Sequence, residues 1–222
     1  MKKGISFSSG GKDSILALHL ARSAGIEVTS MITMIPEDPE SMLYHTHNVD
    51  LVRIIADVIG LTWIPVRAPQ DEEKESLKYA LSDIDADYLI TGGIASVYQK
   101  VKFDEVCEQS KMKHYAPLWG TSPTDLYDKI LRLKMNVIIV SVAAYGLEEE
   151  WLGRHLNEET VKLLLGRAEK YRFNAVGEGG DLDTLVLDAP LYRKKLIPSK
   201  MIREWHGDRG RLVISELDEV EK

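Results

Sequence analysis

The feature that most constrains this chain is a glycine-rich turn near its amino terminus, which reads Ser9-Gly10-Gly11-Lys12-Asp13-Ser14. Apolar residues predict a strand over residues 4–8 and an amphipathic helix over residues 13–24. A strand that enters a helix through a glycine turn directs backbone N–H groups to one point, at the positive end of the helix dipole. The sequence therefore predicts a phosphate site there.

The residue types in this turn suit a polyphosphate. Gly10 and Gly11 let the backbone turn sharply and approach phosphate oxygens without a Cβ in the way. Lys12 adds a positive charge, and Asp13 is placed either to cap the helix or to bind a magnesium ion. The residues predicted to bind the nucleotide are those of the turn: Ser9, Gly10, Gly11, Lys12, Asp13 and Ser14.

Known phosphate-binding motifs differ from this turn. Ser6 and Asp13 stand at positions where a Walker loop requires glycine and serine or threonine. The spacing also differs from that of a dinucleotide-binding turn. The alternative interpretation is an ordinary strand-to-helix turn that happens to be rich in glycine.

Short apolar segments alternate with helical ones through the first half of the chain. Strands are predicted at residues 27–34, 62–66 and 88–91, and helices at 49–59, 71–84 and 96–111. This order predicts an α/β fold with an open parallel sheet and helices on both faces. Beyond residue 117 the pattern changes, with helices at 123–134 and 157–171 and strands at 136–143, 182–187 and 211–215. We expect two domains, 1–120 and 121–222, the second a smaller α+β unit.

Composition narrows the classes of function. The formal net charge is −7, so a broad positive field for nucleic acid is not expected. Cys107 is the only cysteine, which excludes an intramolecular disulfide and a Cys-x-x-Cys pair. We expect it to pack in a helix rather than to act as a nucleophile. No apolar run approaches the length of a membrane span. The expectation is a cytoplasmic protein that binds neither membrane nor nucleic acid.

A second cluster of polar residues lies in the carboxyl-terminal third. Glu178, Asp181 and Asp183 stand within six residues, together with two glycines. Carboxylates in such a loop suit a magnesium or ammonium ion, and one of them can act as a general base on attacking ammonia. The alternative interpretation is a solvated acidic turn before a strand.

Two other segments carry polar groups that a ligand can contact. Gly92 follows the fourth predicted strand, and ligands of open parallel sheets bind beyond the carboxyl ends of strands. This location suits the adenosine half of a nucleotide, although a plain turn is the alternative. Tyr98 is interpreted either as a substrate contact or as half-buried packing. His45 and His47 are either substrate contacts or solvated loop residues. The substrate contacts predicted near Gly92 are Ser96, Tyr98 and Gln99.

The six-residue turn resembles the phosphate loop of the N-type ATP pyrophosphatases, or PP-loop enzymes. That resemblance implies an adenine-nucleotide α-hydrolase-like fold. It also implies that ATP is split between its α and β phosphates, with the loop holding the departing pyrophosphate.

Three further segments, residues 92–99, 116–120 and 177–191, resemble the diphthine–ammonia ligases of that family. This resemblance implies amidation of diphthine on elongation factor 2 by ammonia, through an acyl-adenylate. It implies ATP and Mg²⁺ as cofactors, with Asp13 as the metal ligand. One departure stands out: the family usually reads Glu-Gly-Gly-Glu-Phe-Glu-Thr, whereas Asp181, Leu182 and Asp183 stand here. Each of these carboxylates is one methylene shorter, which favours a water-mediated contact.

The resemblance also distributes roles among residues. The catalytic set is Lys12, Glu178, Asp181 and Asp183. Gly92 joins the nucleotide site, and further substrate contacts are Gly179, Gly180 and Thr184. Two alternatives stay open: a PP-loop enzyme that modifies tRNA, and a module that binds ATP or AMP without turnover. A homo-oligomer is also open.

Overall fold

The computed structural model describes residues 2–36, 51–69 and 72–222. His45 and His47 lie outside the described residues, as do the predicted starts of two helices at residues 49 and 71. The chain divides into two compact units, Met1–Gly120 and Thr121–Lys222. Each unit has its own sheet.

The first unit is built on a five-stranded sheet in the order β3-β2-β1-β4-β5. Every strand pair in it is parallel, so the predicted α/β fold is confirmed. The strand order reverses between β1 and β4, and such a reversal is where ligands bind in open parallel sheets. The strands are β1 (Lys2–Phe7), β2 (Ile26–Pro36), β3 (Thr62–Ala68), β4 (Tyr88–Ile90) and β5 (Lys113–Tyr115). The helices are α1 (Lys12–Ser23), α2 (Leu51–Ile59), α3 (Glu73–Ser82) and α4 (Val97–Gln109).

Helix α1 is buried around most of its circumference. Its buried residues include the apolar Ile15 and Ala21, as well as the polar Lys12 and Ser14. Helices α3 and α4 pack together on the sheet through Leu77, Leu81 and Val106, in one cluster with Ile5 and Leu89 of the central strands. This apolar burial fixes the carboxyl ends of β1 and β4 relative to the helices that follow them.

The second unit is an antiparallel sheet in the order β7-β6-β9-β8, joined by two helices. Both helices begin at a side-chain cap: Ser122 accepts from the backbone N–H of Asp125 at 3.1 Å, and Asn157 accepts from that of Thr160 at 2.8 Å. Such caps replace hydrogen bonds that the first turn lacks. The strands are β6 (Asn136–Val142), β7 (Leu182–Asp188), β8 (Lys194–His206) and β9 (Arg209–Glu221), and the helices are α5 (Pro123–Arg132) and α6 (Glu158–Tyr171). A 3-10 helix spans Glu149–Trp151.

Two of the strands in the structure, β5 and β8, are not predicted from the sequence. Strand β5 has only three residues, too few for a periodic signal. Strand β8 has mostly exposed residues and contains Pro198 at an irregularity of its pairing with β9. Proline is tolerated in strands at such irregularities and at edges. None of the helices that the structure describes combines the length and apolar character needed to cross a membrane.

Candidate active site

The glycine-rich turn lies at the carboxyl end of the central strand β1. Gly10 has a φ of 77°, a left-handed conformation that favours glycine. Gly11 is the N-cap of α1, with extended backbone, and has no side chain to cap the helix. Gly11 therefore provides no side-chain cap for the amino end of α1, and the first backbone N–H groups of the helix face the turn. N–H groups of this kind bind anions.

Ser8 organises the interior of this turn. Its hydroxyl accepts from the backbone N–H of Gly10 at 3.1 Å and lies 2.8 Å from the hydroxyl of Ser14. Ser14 in turn donates to the carbonyl of Gly11 at 3.0 Å, so Ser8 is the donor in the pair of hydroxyls. No role is predicted for Ser8 from the sequence. The available signal was a polar residue that ends an apolar strand directly before the glycines.

The neighbouring strands hold the turn from the side. The backbone N–H of Ser8 donates to the carbonyl of Ile32 at 2.9 Å. The hydroxyl of Thr33 donates to the carbonyl of Ser8 at 2.9 Å and accepts from the indole N–H of Trp63 at 3.1 Å. Thr33 is buried. A chain of hydrogen bonds therefore runs from β3 through β2 to the turn, which fixes the position of Ser8.

Lys12 and Asp13 form an ion pair at the start of α1. The Nζ atom of Lys12 lies 2.9 Å from Oδ2 of Asp13. The Lys12 side chain is 2% exposed and that of Asp13 is 27% exposed. A buried ammonium requires compensating negative charge. The turn therefore combines the positive helix end with a cation, and the carboxylate of Asp13 balances the charge of that cation.

Gly92 packs directly against the first turn of α1. A Cβ built on Gly92 would lie 2.7 Å from the carbonyl carbon of Asp13 and 2.7 Å from the backbone nitrogen of Ser14. Atoms do not approach so closely, so only glycine fits without a shift. The structure thus brings Gly92 to the same edge of the sheet as the predicted phosphate-binding residues.

The substrate contacts predicted near Gly92 lie at the start of α4. Ser96 is the N-cap of this helix, and its hydroxyl accepts from the backbone N–H of Gln99 at 3.3 Å. Tyr98 is 78% exposed, so the interpretation of Tyr98 as half-buried packing is wrong. The preceding loop is tied down because the carbonyl of Ile94 accepts from Gly120 N–H at 2.8 Å. Ser96 is thus engaged in capping, whereas Tyr98 is open to solvent.

The acidic loop, residues 177–184, lies in the second unit. Three of its glycines have positive φ: Gly177 (86°), Gly179 (97°) and Gly180 (87°). A Cβ on Gly177 would lie 2.2 Å from the carbonyl oxygen of Leu182, so the loop folds back on itself there. The backbone N–H of Ala143 donates to the carbonyl of Asp181 at 3.0 Å, which joins the loop to the end of β6.

The carboxylates of the acidic loop differ in their surroundings. Oδ2 of Asp181 accepts from the backbone N–H of Asn174 at 2.8 Å, so this side chain holds the loop. Asp183 is the second residue of β7 and pairs with Ser141 of β6. Glu178 is half-buried and Thr184 is buried. The loop is further supported by Tyr127, whose buried hydroxyl donates to the carbonyl of Ala175 at 2.6 Å.

Cys107 packs in helix α4, as expected from the sequence. It is 2% exposed. Burial, with a smaller contribution from Asp104, raises the pKa of its thiol to about 12. The reactive thiolate is therefore suppressed at neutral pH. Among residues 2–36, 51–69 and 72–222, no three His, Cys, Asp or Glu side chains converge as metal ligands.

Comparison with known proteins relates both units to one family. The model of the diphthamide synthase N-terminal domain matches residues 1–114, and that of the diphthamide synthase C-terminal domain matches residues 122–220.

Individual relatives carry the name diphthine–ammonia ligase. One from Danio rerio is 29% identical over 225 residues, covering 90% of this chain and 88% of that protein. One from Homo sapiens is 26% identical over 214 residues, covering 85% and 80%. One from Schizosaccharomyces pombe is 29% identical over 217 residues, but the match spans 88% of this chain and only 36% of that longer protein.

Proposed function

The chain belongs to the diphthamide synthase family, and on that premise we propose that it is a ligase that amidates diphthine on elongation factor 2 with ammonia, converting ATP to AMP and pyrophosphate. The observation that carries this proposal is the turn of residues 8–14, where a buried lysine and the amino end of α1 meet at the carboxyl end of the central strand. That arrangement suits a nucleotide polyphosphate.

The first step joins substrate to nucleotide. A carboxylate oxygen of diphthine attacks the α-phosphorus of ATP, and the bond between that phosphorus and the departing pyrophosphate breaks. Negative charge grows on the leaving group. Lys12 and the backbone N–H group of Gly11 stabilise this charge, because they are held in place before the reaction begins. Gly10, whose N–H donates to Ser8, shapes the turn. Ser9, which is exposed, completes the proposed contacts, and Ser14 supports the turn through its bond to the carbonyl of Gly11.

Asp13 is the residue that we assign to a magnesium ion. Its side chain is 27% exposed beside Lys12, and Mg²⁺ is usually held by one or two carboxylates together with substrate phosphates. When bound, the ion would neutralise charge on the phosphate oxygens. Asp13 therefore has two functions in the proposal, one toward the metal and one toward the ammonium of Lys12.

The second step forms the amide, and we assign it to the acidic loop. The nitrogen of ammonia attacks the acyl carbon, the bond from this carbon to the AMP oxygen breaks, and the nitrogen loses a proton. Glu178 and Asp183 are the proposed groups for binding ammonium and accepting that proton. Asp181 is assigned to holding the loop, since its carboxylate already accepts from Asn174. Gly179, Gly180 and Thr184 are the proposed acceptor contacts.

The test supplies the protein with ATP, magnesium, ammonium and diphthine-modified elongation factor 2. Mass spectrometry should show replacement of a carboxyl OH by NH₂, and AMP should form in equal amount. Binding of ATP without AMP formation would instead identify a nucleotide-binding module. AMP formation that requires tRNA and ignores elongation factor 2 would identify a tRNA-modifying enzyme.

A further inference from the structure

A chain of polar side chains lies at the end of β4, one residue before Gly92. The hydroxyl of Thr91 is 2.8 Å from Nε2 of His114, and Nδ1 of His114 is 2.7 Å from Oδ1 of Asp104. The other oxygen of Asp104 accepts from Nζ of Lys100 at 2.6 Å. Thr91 is 2% exposed and the His114 side chain 6% exposed. Three elements, the end of β4, β5 and α4, are thus joined by side chains.

The direction of the hydrogen bond between His114 and Asp104 follows from the charge of Asp104. Lys100, and to a smaller extent His114, hold the pKa of the Asp104 carboxyl below its usual value, so this group is an ionised acceptor at neutral pH. Nδ1 of His114 must then donate to it. A neutral ring then has no hydrogen on Nε2, which accepts from the hydroxyl of Thr91, whereas a protonated ring donates from Nε2 to that hydroxyl, so the bond between Thr91 and His114 is made in either form. Asp104 thereby selects the tautomer that can accept from Thr91.

Two other charged side chains of α4 form ion pairs with α3. Lys102 contacts Glu73 at 2.6 Å, and Glu105 pairs with Lys74. The ring of Phe103 packs on His114, with centroids 5.7 Å apart, and on Phe7 at the end of β1, with centroids 4.9 Å apart. His114 is therefore held by apolar contact as well as by Asp104, and its ring has little freedom to turn.

This chain of side chains adjoins Gly92, which belongs to the proposed nucleotide site. The backbone N–H of Thr91 donates to the carbonyl of Tyr115 at 3.0 Å, while its hydroxyl bonds to His114. The next residue is Gly92, whose backbone lies against Asp13 and Ser14 at the start of α1. Because the two residues are consecutive, a shift of Thr91 moves Gly92 against the first turn of the phosphate-binding helix.

We propose that His114 and Thr91 are positioning residues for ATP: His114, oriented by Asp104, holds Thr91 and thereby sets Gly92 against the start of α1. The proposal rests on the proposed function, because it takes the start of α1 as the nucleotide site. Neither residue touches the nucleotide in this account. Their effect is on binding, through the backbone of Gly92.

The decisive comparison is Thr91→Val against Thr91→Ser. Valine keeps the shape and removes the hydroxyl, whereas serine keeps the hydroxyl that bonds His114. We expect Thr91→Val to raise the Kd and KM for ATP about tenfold, the effect of one lost buried hydrogen bond. Its kcat at saturating ATP should stay within about twofold of wild type, and Thr91→Ser should restore wild-type affinity.

A second pair keeps the test valid if Thr91→Val folds poorly. Asp104→Ala removes the acceptor for His114, whereas Asp104→Asn retains an acceptor oxygen; the site is 44% exposed, so either change should be tolerated. We expect the alanine variant to weaken ATP binding about threefold and the asparagine variant to bind as wild type, in keeping with a partly exposed contact.

Equilibrium binding of ATP, with the thermal midpoint of each variant measured alongside, separates the possible failures. Wild-type protein that does not bind ATP would overturn the proposed function and this inference together. Wild-type binding with unchanged affinity in Thr91→Val and Asp104→Ala would overturn this inference alone. So would equal weakening by Thr91→Val and Thr91→Ser, because the hydroxyl would then be irrelevant.

Discussion

The glycine-rich turn of residues 8–14 and the acidic loop of residues 177–184 are both rich in glycine, but they are held in place by different means. In the glycine-rich turn, hydroxyls of Ser8, Ser14 and Thr33 bind the backbone, and the two charged side chains, Lys12 and Asp13, pair with each other. In the acidic loop, one of the charged groups, Asp181, is itself a support. Two loops that are both rich in glycine therefore differ in which side chains support the backbone, hydroxyls in one and a carboxylate in the other.

The largest expected effect tests the charge of Lys12 in the glycine-rich turn, which we propose to hold the departing pyrophosphate. Lys12→Met removes the ammonium while filling most of the space of this 2%-exposed side chain. We expect AMP formation to fall by about 10²–10³-fold, the scale found when a preorganised electrostatic contact to a transition state is lost. The measurement is AMP release with the protein substrate present. Lys78→Met, at an exposed ion pair, is the control, and wild-type turnover in Lys12→Met would remove Lys12 from the mechanism.

The next effect tests the close approach of backbone to the helix start. Gly92→Ala places a methyl group 2.7 Å from Asp13 and Ser14 backbone atoms. We expect unfolding free energy to fall by about 1–3 kcal/mol, as overpacking does, and ATP affinity to fall at least tenfold as α1 shifts, which corresponds to about 1.4 kcal/mol.

Gly93→Ala is the matched control for this change. A Cβ there meets only the Thr91 hydroxyl at 3.9 Å, which is ordinary contact. The Gly93→Ala variant should have an unfolding free energy and an ATP affinity close to those of wild type, as measured by chemical denaturation and by ATP binding. Equal losses in the two variants would mean that glycine at residue 92 serves the turn and not the contact with α1.

The contacts around the glycine-rich turn show which features the sequence could predict and which it could not. The turn was recognisable because strand, glycines and helix follow one another within a few residues. Thr33, Trp63 and His114 were missed because their contacts with the site come from strands that lie far away in sequence. Such contacts depend on strand order, and local periodicity carries no information about it.

The acidic loop is tested by separating its two aspartates. Asp183→Asn removes a charge that we assign to ammonia, so amide formation should fall about 10–100-fold while ATP affinity stays unchanged. Asp181→Asn keeps an oxygen that can accept from Asn174, and it should lose less amidation activity. Amide formation by mass spectrometry and ATP binding are measured on both. Loss of ATP affinity in Asp183→Asn, equal to its loss of amidation, would contradict the division of labour between the two loops.

The smallest expected effect concerns Cys107, which lies in helix α4 and has no proposed role in the glycine-rich turn or the acidic loop. Its thiol has a pKa raised to about 12 by burial, so at pH 8 it stays protonated in the folded protein and should not react with a thiol reagent. In denaturant the pKa returns toward its ordinary value of about 8.5, and labelling should become complete. Cys107→Ala should keep kcat within about twofold, because the thiolate that a nucleophile needs is absent. Rapid labelling of the folded protein that tracks loss of AMP formation would give Cys107 the chemical role that its burial argues against.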